Sequence, residues 1–274
     1  MKKGIDLSYA NKVTDWNQVK EAVDFVILRA GYGKNNIDEK FVPYAAACME
    51  HEIPLGLYWF SYAYTVEMAK KEAQYCIQQA KKYPITYPIA FDFEYDSVRY
   101  AEGKGVKVTK HLVMDMTVAF CSEIKKAGYI PVVYTNKDYA TKYFDLTELE
   151  IWGYDIWYAY YNKTCDRGTV ALWQYTSSGR IQGISGQVDR NISYVDYVDK
   201  SGWIQEGEEY KMNMIKKGSK GKAVKIWQII IGTDPDGIFG SGTEAATRTF
   251  QKQHSLSVDG IVGKQSWKAG LESV

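Results

Sequence analysis

Over residues 1–197, short apolar runs alternate with longer stretches of helical periodicity, and that alternation restricts the fold more than any single motif. The runs are GIDLS at Gly4, FVILRAG at Phe25, PLGLYWFSYA at Pro54, PIAFDFE at Pro88, IPVVYTN at Ile130, IWYAYY at Ile156, VALWQYT at Val170 and a short one around Val188. Their length and their Gly, Pro or polar boundaries read as strands. Thr65 to Lys82 and Thr109 to Ala127 read as helices, the first through the helix formers of EMAKKEAQYCIQQAKK. Repeated strand–helix units imply an α/β chain with a parallel sheet, and about eight strands in roughly 200 residues imply a closed (β/α) barrel. The later strands follow one another too closely for full helices, so the outer helical ring is expected to be incomplete.

After Tyr197 the pattern breaks into DKSGWIQEGEEYKMN, polar and aperiodic, which reads as a linker. The expected domains are a barrel over 1–198, a linker over 199–213 and a small all-α three-helix domain over 214–274. In the last of these, DGIFGSGT at Asp236 and DGIVGKQS at Asp259 recur 23 residues apart. Each is an Asp-Gly turn ahead of a helical pattern, with the hydroxyls of Thr243 and Ser266 expected as helix caps. Val224, Trp227, Ala245, Ala246, Phe250 and Trp267 are the expected core.

Net charge is +1, so general attraction to nucleic acid or to a membrane surface has no basis. Residues 214–274 carry nine Lys/Arg against five Asp/Glu, a basic surplus suited to an anionic polymer or simply to a solvated face. MKKGIDLSYAN meets Asp6 before any apolar stretch, so it is not a signal peptide, and nowhere do about 18 consecutive apolar residues provide a membrane span. Cys48, Cys76, Cys121 and Cys165 form no CxxC pair and only three His are present, so no metal site and no cofactor are expected; the cysteines read as mostly buried thiols.

The stretch YPIAFDFEYD from Tyr87 ends an apolar run with acids, two of which, Asp92 and Glu94, are spaced i, i+2. On a strand these lie on one side, about 6.6 Å apart along the backbone. Either the strand frays into an acidic loop, or a site uses two like charges there. In a barrel the C-terminal strand ends converge on one mouth, which gathers Asp6, Asp92, Glu94 and Asp189, together with Tyr58, Tyr62, Tyr134, Trp157, Tyr160 and Gln174. Four acids ringed by aromatics and amides form a glycosidase arrangement. Phe91 and Phe93 point the other way and read as core. Trp16 and Trp152 read equally as packing.

GIDLS with DWNQVK, FVILRAGYG, PLGLYWFSYA, DFE, AGYIPVVYTN and WQYTSSGRIQGISGQVDRN run in the order found in glycoside hydrolase family 25, which this chain closely resembles over about its first 195 residues. The DGIFG and DGIVG segments resemble the three-helix peptidoglycan-binding module. The resemblance implies hydrolysis of the β-1,4 bond between N-acetylmuramic acid and N-acetylglucosamine in bacterial peptidoglycan. It implies Glu94 as the general acid, Asp92 as the ionised partner, Asp6 and Asp189 as supporting acids, and Tyr58, Tyr62, Tyr134, Trp157 and Gln174 on substrate. The i, i+2 spacing leaves open whether Asp92 acts directly on developing charge or orients the 2-acetamido group. An endolysin made in a bacterial host's cytoplasm without a signal peptide and released onto the wall is the expected setting. A bacterial autolysin of the same chemistry, a non-catalytic wall-binding barrel and a chitin-degrading barrel are the alternatives. Glu208-Glu209 just before Met212 would also allow an internal start, giving a free C-terminal module able to associate with the full chain.

Overall fold

A computed structural model describes residues 1–168, 170–198 and 214–272, and divides the chain into two compact units, Met1–Ile204 and Gln205–Val274. The expected linker, 199–213, and Met212 within it lie outside the described residues.

Eight strands of the first unit close into a barrel: β1 (Lys2–Leu7), β3 (Phe25–Tyr32), β5 (Leu55–Phe60), β6 (Ile85–Asp92), β7 (Pro131–Asn136), β8 (Asp155–Ala159), β9 (Leu172–Gly179) and β11 (Val188–Ser193). The two-residue strands β2 (Lys12–Val13), β4 (Asn36–Ile37) and β10 (Ile184–Ser185) are additions that the apolar runs do not announce. Strand alternation sorts the side chains into two cores. Along β3, Phe25 and Ile27 face the barrel interior with Ala90, Val132, Tyr134, Trp157 and Leu172. Val26 and Leu28 face outward against the helices with Leu57, Trp59, Ile89, Phe91 and Phe93.

The helices are α1 (Trp16–Ala22), α2 (Phe41–Glu50), α3 (Val66–Ala80), α4 (Tyr95–Gly103), α5 (Lys110–Lys126), α6 (Lys137–Lys142) and α7 (Leu146–Ile151). Thr65 and Thr109 cap α3 and α5 by accepting the Met68 and Leu112 N–H groups, each at 3.2 Å. The ring thins as expected, because α6 and α7 have six residues each and, among the described residues, no helix joins β8 to β9.

The sheet is not wholly parallel. β11 runs antiparallel to both β9 and β1, whereas the remaining barrel pairs are parallel. A parallel return needs a crossover of a dozen or more residues, and the chain between Gly179 and Val188 is too short to supply one. Asp189 therefore enters at the N-terminal end of β11, not at a C-terminal end, and the reversed strand delivers it to the same mouth, opposite Asp6.

In the second unit three helices, Lys222–Ile230, Ser241–Gln253 and Lys264–Glu272, surround Ile215, Val224, Trp227, Phe239, Phe250, Val262 and Trp267. Ala245 is exposed and Ala246 half-buried, so neither joins the expected core; Ile215, Phe239 and Val262, from outside the helices, take their place. The 23-residue repeat is a repeated hydrogen-bond network. Gln228 Nε2 donates to Asp236 Oδ1 (2.8 Å), Ile238 O (3.1 Å) and Thr243 Oγ1 (3.0 Å), while its Oε1 accepts the Gly237 N–H (2.8 Å). Gln251 repeats this with Asp259 (2.8 Å), Ile261 O (2.9 Å), Ser266 (3.1 Å) and Gly260 (2.9 Å). Thr243 thus does not cap its helix, whose N-cap is Gly240; both hydroxyls serve as acceptors for a buried glutamine. Gly237 and Gly260 sit at φ 76° and 71°, the left-handed region such turns require.

Candidate active site

Asp92 ends β6. From Ile89 onward the strand alternates, so Ala90 turns inward while Phe91 and Phe93 are sealed outside, stacked on each other at 6.2 Å with Phe91 against Phe120 at 5.1 Å. Asp92 and Glu94 line the same cavity at the mouth, about 240 Å³, with Asp6, Arg29, Tyr58, Phe60, Tyr134, Trp157, Tyr161, Gln174 and Asp189. All four expected acids are therefore together. Glu94 is also the N-cap residue of α4, its N–H donating to Ser97 Oγ at 3.0 Å, which fixes the backbone from which its carboxyl projects.

A polar scaffold holds the acids. Asp6 Oδ2 accepts from Asn191 Nδ2 (2.7 Å) and Gln174 Nε2 (2.9 Å). Gln174 Oε1 in turn accepts from the Tyr134 and Tyr161 hydroxyls, both at 3.0 Å. Trp157 Nε1 donates to Asn191 Oδ1 at 2.8 Å. By contrast, Asp92 Oδ1 is buried with no hydrogen-bond partner.

The residues expected on substrate differ in how far they are covered. Trp157 is only 2% exposed, packed edge-on to Tyr134 at 4.8 Å, so its indole positions Asn191 and offers little face for a sugar. Gln174 is 3% exposed and likewise bonded internally. Tyr160 points away from the cavity and carries Lys137 over its ring, 5.0 Å from the centroid; its neighbour Tyr161 enters instead. Trp16 and Trp152 pack against the outer core. Tyr62 lines a second cavity, of about 460 Å³, with Tyr9, Arg29, Tyr32, Asp38 and Asp96 among others. Arg29 and Phe60 line both cavities.

Arg29, Asn191 and Tyr161 went unread in the sequence. Arg29 lies on the inward side of β3 with Phe25 and Ile27. Its Nε donates to Asp38 Oδ2 at 2.6 Å, and Tyr9 lies 4.6 Å from the guanidinium. A charge inside the apolar run FVILRAGYG was the signal for it, since buried strands seldom carry one without a partner or a task. Asn191 follows Asp189 at i+2.

Burial raises the pKa of all four acids, and each carboxyl is pushed further by another acid or held down by a donor. Asp6 is pushed up to about 8 by desolvation and by Asp189, with Asn191 and Gln174 opposing. Asp92 is raised by desolvation and then by Glu94 and Asp6, while Arg29 draws it down. Glu94 is raised by desolvation and held back by Asp92 and Tyr134; Asp189 is raised by desolvation. Burial and mutual repulsion thus both work against two full charges on the Asp92–Glu94 pair.

A family model for glycosyl hydrolases family 25 matches residues 5–184, and one for a peptidoglycan binding domain matches residues 228–269. Among solved structures, the chain is similar to the modular autolysin LytC from Streptococcus pneumoniae, solved with a synthetic peptidoglycan ligand. The identity is 27% and the TM-score 0.60, over 70% of this chain and 46% of that one, so less than half of LytC is spanned. It shares its fold with the catalytic domain of endolysin ply40 from bacteriophage P40 of Listeria monocytogenes (23% identity, TM-score 0.62, 73% of this chain and 97% of that one). The CTP1L endolysin is similar over 87% of this chain and 85% of that one, at 20% identity and a TM-score of 0.61.

Proposed function

The chain belongs to glycosyl hydrolases family 25, and we propose that it is a muramidase, cutting the β-1,4 bond between N-acetylmuramic acid and N-acetylglucosamine in bacterial peptidoglycan. The observation that carries this reading is the clustering of Asp6, Asp92, Glu94 and Asp189 in one cleft with a buried, unpartnered oxygen on Asp92. Such an oxygen costs about 1–3 kcal/mol. A bound sugar would supply its partner.

Glu94 gives its proton to the departing glycosidic oxygen as the C1–O bond breaks. The positive charge that grows at the anomeric carbon in the same step favours Asp92 as the carboxylate and Glu94 as the holder of the pair's proton until it is given up. Asp92 acts on that charge directly, or accepts the 2-acetamido N–H so that the acetamido oxygen attacks C1; water completes the cut. The anomeric configuration of the released end separates the two routes. Asn191 and Gln174 keep Asp6 in place, and Asp189 stands opposite it at the mouth.

The wall is the proposed site of action, and the second unit the proposed means of staying there, by keeping the barrel concentrated near an insoluble substrate. Likeness to phage endolysins supports release onto the host wall; an autolysin would need the same cleft. No helix among the described residues is long and apolar enough to cross a membrane. A chain ending at residue 204 should keep its activity on soluble fragments and lose much of it on intact cells. Borohydride reduction of digested walls tests the bond: reduced muramic acid supports the reading, reduced glucosamine alone refutes it.

A further inference from the structure

The cleft contains a buried acid's handiwork but not the acid itself. Glu72 lies on α3, 3% exposed, and lines neither cavity. Among the described residues no cation pairs with it. Both its oxygens are used on the first two residues that follow β5. Oε1 accepts the Tyr62 N–H at 2.9 Å, and Oε2 accepts the Ser61 hydroxyl at 2.6 Å. Ser61 Oγ accepts the Ala63 N–H at 3.2 Å, and the Ser61 N–H donates to the Asp92 carbonyl at 2.8 Å. Ala69, one turn earlier, and Ala73, the next residue, both fully buried, flank Glu72 on the same helix. Tyr62 itself rests edge-on against Tyr32 at 6.3 Å and Tyr100 at 5.0 Å.

We propose that Glu72 is a positioning residue of the glycan cleft, fixing the 61–63 turn and through it the Tyr62 ring and the end of the Asp92 strand. A buried carboxyl is expensive, and desolvation pushes this one up to about 7 despite its two donors. What it returns is geometry. Loop residues that bind ligand need support from a rigid element, and α3 is that element here. A glutamine can keep the arrangement, with Oε1 accepting from Tyr62 and Nε2 donating to Ser61 Oγ. A leucine cannot, and leaves the Tyr62 N–H without its acceptor.

The kinetic part of the test rests on the muramidase reading, so a second readout is independent of it. On a soluble N-acetylglucosamine–N-acetylmuramic acid tetrasaccharide, Glu72→Leu should lower kcat/KM about tenfold, chiefly through KM, with Glu72→Gln within about twofold of wild type. In a Tyr62→Ala background, Glu72→Leu should cost no more than about a further twofold, since its effect passes through that ring. Exchange of the Tyr62 amide should quicken in Glu72→Leu and not in Glu72→Gln. Ser61→Ala, which removes one donor and keeps the acid, should show a smaller loss in the same direction and serves if Glu72→Leu fails to fold. Fully additive losses, or unchanged exchange with Glu72→Gln as damaging as Glu72→Leu, would overturn the proposal. If wild type cuts nothing, the muramidase reading fails while the exchange measurement still decides whether Glu72 holds the turn.

Discussion

The two units use aspartate in opposite ways. In the second, Asp236 and Asp259 each accept a backbone N–H, from Ile238 at 2.7 Å and Ile261 at 2.9 Å, and a glutamine N–H besides; these bonds hold both pKa values below the ordinary range. In the barrel mouth, Asp6 and Asp92 are buried among other acids with their pKa values raised, and Asp92 leaves an oxygen unpaired. A satisfied acid building a turn explains itself. An acid kept where the fold alone would not choose it points to a task, and the contrast separates structural from chemical aspartates more sharply than sequence motifs do.

The contrast breaks most visibly if Asp92 is dispensable. Asp92→Asn should reduce the rate of wall cleavage about a thousandfold while raising the stability of the barrel by about 1 kcal/mol, because a charge-prone buried oxygen is replaced by an amide. Melting temperature and the rate of new reducing ends check both halves. A variant that loses stability would make Asp92 a structural residue like Asp236.

Next in size are Gln228→Ala and Gln251→Ala. Each removes the hub of four hydrogen bonds, and each should destabilise the second unit by about 2–4 kcal/mol, read by amide exchange in residues 214–272, with cleavage of soluble fragments unchanged. Equal costs would show that the 23-residue repeat is energetic as well as geometric.

The smallest effect is a difference in pH slope. Asp6 has its pKa raised from 3.8 to about 8 by folding, so the stability it contributes is full below 3.8 and is lost as pH rises through about 8. Asp236 and Asp259 have depressed values, so theirs is present above the ordinary carboxylate range and lost as pH falls through the folded values. Asp6→Asn should flatten the decline of barrel stability between these limits. Asp236→Asn should instead lessen the acid sensitivity of the second unit. Unit-resolved exchange across pH measures both.

Much of this was legible from residue order. Apolar runs gave all eight barrel strands, and the rule of convergent strand ends brought four acids together. The failures have physical causes. Direction along a strand leaves no trace in its hydrophobic pattern, so the antiparallel β11 went unread, although the short Gly179–Val188 connection was its signal. Period-2 alternation tells which side a residue faces but not how deeply it is covered, so the internal hydrogen bonds of Trp157 and Gln174 at the cavity wall could not be read from it. In the repeat, Thr243 and Ser266 stood out as caps because the turn sequences draw the eye; Gln228 and Gln251 recur at the same spacing and organise both turns. Glu72 gave no signal, since a glutamate in a helix of lysines and glutamines reads as solvated.

The most direct measurement is the initial rate at which purified walls gain reducible muramic acid ends with Glu94→Gln against wild type. With wall binding retained, the rate should fall by about three powers of ten, because the amide cannot protonate the leaving oxygen. A rate within tenfold of wild type would mean that the acids of this cleft do not carry the chemistry.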